Sequence, residues 1–211
     1  MVFLLGHPVE HSLSPRMQNA AFAAVGLDWE YVLRDVLPEE LEAAVGEVEY
    51  ANVTAPYKLD VARILGSELP SVNTIVHGQG FSTDTAILQA VGDVSSPAIV
   101  GDGGVAAAFR HALPDARVFS RRGEWPPVVG GADLVVHATP VRDEVLFELG
   151  EGQALIDLPY PRTATADAAA AAGARVLDGL EVLVAQGAAS FQLWTGRPAP
   201  LEAMREALGL T

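Results

Sequence analysis

The chain contains no cysteine. Disulfide frameworks, thiolate nucleophiles and Cys-held zinc or iron–sulfur sites are therefore excluded, and chemistry must come from oxygen, nitrogen or a borrowed cofactor. Positive charge is scarce: 13 Lys and Arg against 27 Asp and Glu leave a net −14 at pH 7. A field of that sign repels phosphate backbones and anionic lipid, which argues against nucleic-acid and membrane partners. No apolar run approaches the roughly 18 residues a membrane helix needs. The apolar start Met1 to Leu5 lacks a basic region and is broken by Gly6 and Pro8, unlike a signal peptide. The expectation is a cytoplasmic protein.

Lysine is scarcer still, since twelve of the thirteen basic residues are Arg and Lys58 stands alone. Arginine does not readily lose its proton, so a lone lysine marks a position where a titratable amine has a use, unless one surface lysine simply survived a composition bias. Asparagine is restricted to Asn19, Asn52 and Asn73. The five histidines, His7, His11, His77, His111 and His137, show no ligand spacing with acids, so no metal is expected.

What the chain has in quantity is apolar sequence, 50% of 211 residues, enough for one large or two small domains. Short apolar runs alternate with helical spacing. Strands are expected at 2–5, 29–33 and 50–53, with helices at 16–25 and 38–46. A second series starts at Ala98, where a strand runs into a glycine turn and a helix start, with further strands at 116–119, 134–137 and 154–157 and helices from Val105 to Leu113 and from 164 to 172. Two helical stretches between 180 and 208 close the chain. Alternation of this kind predicts an α/β fold with a parallel sheet, and its second half reads as a nucleotide-binding unit.

Gly101-Asp102-Gly103-Gly104 follows a predicted strand and opens a predicted helix, the context that lets glycines bring a pyrophosphate close to helix-end N–H groups. Asp102 is an odd neighbour for a phosphate. At the end of the next strand, Ser120-Arg121-Arg122 offers two cations where arginine accommodates the 2′-phosphate of NADP, unless both are solvated loop residues paired to Glu124. Ser12 and Ser14 precede a helix start and can bind a carboxylate or serve only as a cap. The segment from Asn52 to Lys58 sets an amide, the Thr54 hydroxyl and the sole lysine at the carboxyl end of a strand. Lys58 and Asp84, brought together, form either a proton-handling pair or a structural salt bridge.

These residues resemble the shikimate dehydrogenases. The resemblance rests on Gly6-x-Pro8 through His11-Ser-Leu-Ser-Pro15, Asn52-Val-Thr-x-Pro-x-Lys58, Val72-Asn-Thr74, Thr83-Asp84, Gly101-x-Gly-Gly104, Ala138-Thr-Pro140, Leu183-Val-x-Gln186-Gly-Ala and Phe191-x-Leu-Trp-Thr-Gly196, in the family's order. It implies NADPH-dependent reduction of 3-dehydroshikimate to shikimate, with Lys58 and Asp84 as catalytic pair. Ser12 and Ser14 would hold the substrate carboxylate, and Thr54, Asn73, Asp84 and Gln186 its hydroxyls, with Tyr160 on the substrate side. Gly101, Gly103, Gly104, Ser120, Arg121, Arg122 and Thr139 would meet NADP. The implied fold is two α/β domains with a cleft between: a substrate domain, 1–87 plus 181–211, and a Rossmann-like NADP-binding domain, 88–180. A monomer or homodimer acting on a small molecule is expected.

Departures from the family pattern keep two alternatives open: a quinate/shikimate-type enzyme using NAD, and a shikimate-binding protein without catalysis. The chain is several tens of residues short, and Gly123 to Pro127 leaves no helix after the arginines. His137 stands where the family usually has Asn, Arg142-Asp143 where it has Gly-Met, and Ile87 where it has Gly.

Overall fold

The computed structural model describes residues 1–210. The chain divides into two compact units, one formed by Met1–Asp84 with Leu183–Thr211, the other by Thr85–Val182.

The first unit begins with β1 (Val2–Gly6), α1 (Ser14–Ala24) and β2 (Tyr31–Asp35). A 3-10 turn at Pro38–Glu40 runs into α2 (Leu41–Glu47), followed by β3 (Tyr50–Val53), α3 (Lys58–Ile64), β4 (Thr74–Val76) and β5 (Gln79–Phe81). The sheet order is β2-β1-β3-β4-β5. β2, β1 and β3 pair in parallel, with Leu4 opposite both Leu33 and Asn52. β3, β4 and β5 pair antiparallel, with Asn52 opposite Thr74.

The parallel part of this sheet, β2-β1-β3, is thus extended by an antiparallel edge that the strand–helix alternation did not announce. Two residues, His77 and Gly78, join β4 to β5, and both have positive φ, 47° and 75°. A two-residue connection of this kind reverses the chain, whereas parallel neighbours need a crossover of a dozen residues or more. Leu5, Val36, Val45, Val53, Val61 and Ile75 belong to the apolar core of this unit.

The second unit contains β6 (Pro97–Val100), α4 (Gly104–Ala112), β7 (Arg117–Phe119), β8 (Leu134–His137), β9 (Ala154–Asp157), α5 (Ala164–Ala171) and β10 (Arg175–Leu177). Every strand pair is parallel, in the order β10-β9-β8-β6-β7. All residues of β6 and β8 are buried, as expected of parallel strands covered on both faces. Thr163 caps α5 by accepting from the Ala166 amide. The connection after β6 runs outwards to β7 and the connection after β8 runs the opposite way to β9, which makes the carboxyl ends of the neighbouring strands β6 and β8 a topological switch point, where α/β sheets bind ligands.

α6 (Gly179–Thr195) and α7 (Leu201–Ala207) complete the chain. Phe191 of α6 is fully buried and stacks on Phe22 of α1 with centroids 5.6 Å apart. Gly187 lets α1 come close: a Cβ there would strike the Met17 side chain, and Gln18 Nε2 donates to the Gly187 carbonyl at 2.9 Å. Among the described residues no helix is long and apolar enough to cross a membrane.

Candidate active site

β1 and β3 are parallel neighbours, so the segments leaving them emerge at the same sheet end. The Thr54 amide donates to the Leu5 carbonyl at 2.8 Å and the His7 amide to the Ala55 carbonyl at 3.2 Å, which ties the two exits together. One exit leads to Ser12 and Ser14 at the start of α1. The Ser14 amide donates to Ser12 Oγ at 3.2 Å, while the N-cap residue Leu13 makes no side-chain cap of its own. The other passes Thr54 and reaches Lys58, the first residue of α3. Before it, the Tyr57 hydroxyl donates to the Val36 carbonyl at 2.6 Å. Burial, followed by Asp35 and other nearby carboxylates, pushes the Tyr57 pKa up, which favours the protonated, donating form.

Lys58 Nζ donates to both carboxylate oxygens of Asp84, at 2.7 and 2.8 Å. Their side chains are 12% and 7% exposed. Asn73 Nδ2 donates to Asp84 Oδ1 at 3.1 Å and to Thr83 Oγ1 at 2.9 Å, and lies 3.5 Å from Gln186 Oε1. Asn73 Oδ1 in turn accepts the Thr83 amide at 2.7 Å. Lys58, Asp84, Asn73 and Gln186 therefore meet in one polar cluster within the first unit. Tyr160 lies in the second unit, half-buried in the turn after β9.

Beneath that cluster is a buried polar floor that periodicity in the sequence does not register. Asn52 Oδ1 accepts the Tyr31 hydroxyl at 3.0 Å. Asn52 Nδ2 donates to the Asn73 carbonyl, Thr74 Oγ1 and Ser190 Oγ at 2.9, 3.1 and 3.0 Å. Ser190 Oγ lies 2.8 Å from Thr74 Oγ1 and 3.0 Å from Thr83 Oγ1. Buried polar groups with full partners fix one geometry because each alternative strands a donor or acceptor. Here the fixed element is the Thr83-Asp84 backbone. Asn52 was marked by its rarity and by the motif that it opens, and nothing marked Ser190.

At the switch point of the second unit, a cavity of about 400 Å³ is lined by Gly101, Gly103, Ser120, Arg121, Arg122 and Thr139, among others. Gly101 has φ +137°, and a Cβ there would lie 2.6 Å from the Ala138 carbonyl oxygen. Gly103 precedes α4 with open space where a Cβ would be, and Gly104 is the first residue of that helix, which carries no side-chain cap. Bare backbone at an uncapped helix start suits a pyrophosphate, and the two arginines suit a further phosphate. The residues present thus fit a phosphorylated dinucleotide.

The arginines are not engaged with Glu124. Arg122 Nε lies 3.8 Å from Asp102 Oδ2, and the Arg121 guanidinium stands 5.7 Å from the centre of the Trp125 ring. Asp102 thus has a cation beside it in this exposed turn.

His137, fully buried, is bonded on both ring nitrogens: Nδ1 to Asp157 Oδ1 and Nε2 to Thr139 Oγ1, each at 2.7 Å. Asp157 also accepts from the Thr163 hydroxyl at 3.0 Å and the Thr163 amide at 3.2 Å. The ring thereby links the Asp157 carboxylate to the hydroxyl of Thr139, at the cavity wall.

Comparison with known proteins comes down on one family. A sequence model described as the shikimate dehydrogenase substrate binding domain matches residues 4–75, and one described as the Shikimate 5′-dehydrogenase C-terminal domain matches residues 179–208. The shikimate dehydrogenase (NADP(+)) of Anaeromyxobacter dehalogenans strain 2CP-1 is 35% identical over 97% of this chain and 94% of its own. That of Methanopyrus kandleri is 35% identical over 99% and 94%. Among solved structures, shikimate dehydrogenase from Aquifex aeolicus superposes with a TM-score of 0.87 at 27% identity, covering 98% of this chain and 96% of that one. The Thermus thermophilus enzyme, in complex with NADP(H) and shikimate, gives 0.82 at 29% identity, covering 98% and 97%.

Proposed function

Because the chain belongs to the shikimate dehydrogenase family, we propose that it interconverts shikimate and 3-dehydroshikimate with NADP, using Lys58 and Asp84 as its proton-handling pair. The unit made of 1–84 and 183–211 binds the ring acid, and the unit 85–182 binds the dinucleotide. The observation that carries the reading is the grip of both Asp84 oxygens on the only lysine in the chain, shielded from most solvent.

Oxidation of a ring hydroxyl removes a hydride from carbon and a proton from oxygen, and reduction adds both back. Bound at the glycine turn, NADP supplies the hydride chemistry. The proton falls to Lys58. An ammonium has three N–H donors; Asp84 occupies two, and the third is available to the reacting oxygen. In reduction Lys58 Nζ gives its proton to the carbonyl oxygen as negative charge develops there, and in oxidation the neutral amine takes the hydroxyl proton. Asp84 holds Nζ in one orientation, and Asn73 with the polar floor holds Asp84.

Ser12 and Ser14, at the start of α1, bind the substrate carboxylate, and Thr54, Asn73 and Gln186 bind its hydroxyls. Arg121 and Arg122 bind the 2′-phosphate of NADP, Gly101, Gly103 and Gly104 admit the pyrophosphate, and Ser120 and Thr139 complete the cofactor site.

The test is absorbance at 340 nm with purified protein, shikimate and NADP⁺, repeated with NAD⁺ and with quinate. Turnover should require shikimate and NADP⁺ and should fall in Lys58→Ala by roughly the 10²–10⁴-fold typical of general acid–base groups. Silence in every mixture, or undiminished turnover in the variant, would overturn the reading.

A further inference from the structure

Consecutive parallel strands of an α/β sheet are usually joined by a crossover helix packed on the sheet. Between β7 and β8, residues 120–133 form no helix. The stretch opens instead as a tight loop: the Gly123 amide donates to the Ser120 carbonyl at 3.0 Å, and the Ser120 amide to the Glu124 carbonyl at 3.1 Å.

That closure returns Trp125 to the strand end, beside Arg121. The half-buried indole packs against the apolar core of the unit and also lines the cavity that Gly101, Gly103 and the arginines share. The Arg121 guanidinium lies over the ring, 5.7 Å from its centre. Arg122, its neighbour, faces Asp102.

A dinucleotide with its pyrophosphate at the glycine turn must still place a flat purine, whose faces are apolar and whose binding depends on stacking. Phosphate-binding backbone does nothing for such a face. The only aromatic ring lining this cavity is that of Trp125.

We propose that Trp125 and the Arg121 guanidinium laid over it form a two-layer platform for the adenine of the cofactor, Trp125 acting by holding Arg121 flat and in place. The loop thereby supplies the base-binding wall. A planar guanidinium stacks on aromatic faces and on bases alike, so its outer surface receives the purine while its N–H edge remains available to a 2′-phosphate. This rests on the cofactor reading above, but it concerns the base rather than the phosphates or the reaction.

The probes are adenosine 2′,5′-bisphosphate and 5′-AMP, titrated calorimetrically into the full chain, which tests binding without turnover. Trp125→Ala should weaken both by a similar factor, about tenfold, the scale of one base stacked on an aromatic support. Trp125→Phe, which keeps a ring under Arg121, should recover most of that loss and guards against misfolding of the alanine variant. Binding by Trp125→Ala within twofold of the parent would overturn the platform. So would a loss confined to the bisphosphate, because the residue would then serve only the 2′-phosphate, and so would equal losses in the Ala and Phe variants. If the parent binds both probes but never turns over shikimate, the proposed reaction fails and the platform stands. If the parent binds neither, both fail.

Discussion

Geometry alone does not separate a catalytic lysine–aspartate pair from a salt bridge that merely holds two segments together, but a double-mutant cycle does. The contacts between Lys58 and Asp84, 2.7 and 2.8 Å long, join side chains only 12% and 7% exposed. Removing one partner of a buried pair leaves an uncompensated charge and costs about 3–5 kcal/mol. The two single variants should differ. After Lys58→Met, Asp84 keeps the 3.1 Å bond from Asn73, so the loss should be about 2–3 kcal/mol, below that range. After Asp84→Leu, the ammonium has no other hydrogen-bond acceptor among the described residues, and the loss should be about 3–4 kcal/mol. The double variant replaces both charges with apolar groups and should cost far less than the sum, a coupling of about 2–3 kcal/mol. Urea denaturation measures each from the shift in midpoint at constant slope. The same three proteins, assayed for shikimate oxidation, should all be inactive. A double variant that is stable and inactive would mean that the pair is kept for chemistry at the expense of stability. Losses that add within about 0.5 kcal/mol would refute the claim that the two side chains act as one unit, and turnover by Lys58→Met would refute its catalytic role.

Further outcomes follow from other parts of the molecule. Replacing Arg121 and Arg122 together with Ala should raise KM for NADP far more than for NAD, and equal effects would refute their reading of the 2′-phosphate. Gly101→Ala should cost about 1–3 kcal/mol for the strained φ alone, with the contact against the Ala138 carbonyl added; an unchanged Tm and unchanged NADP affinity would contradict it. Asp133 has its pKa lowered: burial works the other way, but bonds from the Ser95 and Ser96 amides and further backbone donors outweigh it. A carboxylate with a depressed folded pKa contributes stability above its unfolded value, near 3.9, and loses it as pH falls through the folded one. Asp133→Asn should therefore lower Tm at pH 7, with the difference shrinking below about pH 4; a constant difference down to pH 2 would contradict the assignment.

Most strands were legible in the sequence, including the three-residue β7 within one residue of its expected bounds, but three of the shortest were not. β3, β8 and β9 occupy the expected residues. β4, β5 and β10 have three residues each, too few for a period of two to declare itself. β2 starts two residues later than expected, at Tyr31. Trp29 is taken up by aromatic packing against Phe22 and Tyr50 instead. Helix ends were marked by glycine: Gly26 and Gly173, with φ of 67° and 86°, follow α1 and α5. At the site, the motifs carried Lys58, Asp84 and Asn73, and also Asn52, Thr74 and Thr83, but not the hydrogen bonds that join them. Asn52, Thr74, Thr83 and Ser190 come from three separate stretches of chain, and a hydrogen bond between Asn52 and Ser190 has no local signature. Trp125 was passed over because an aromatic residue in a proline-flanked loop reads as irregular until the loop is seen to close.

The order in which the chain is made gives the buried polar floor a timing. Ser190 lies 138 residues beyond Asn52, and Gly187 lies 169 beyond Gln18. The intervening unit, 85–182, has all of its own strands before either arrives. During synthesis the strands of the 85–182 unit are all made while Asn52, Thr74 and Thr83 still lack the helix that partners them. Folding of that unit replaces a flexible loop of roughly a hundred residues, lowering the closure entropy that α6 must meet when it docks. A chain released before α6 would carry the lysine and the aspartate without the serine beneath them, so the proposed proton-handling site is complete only once α6 has docked.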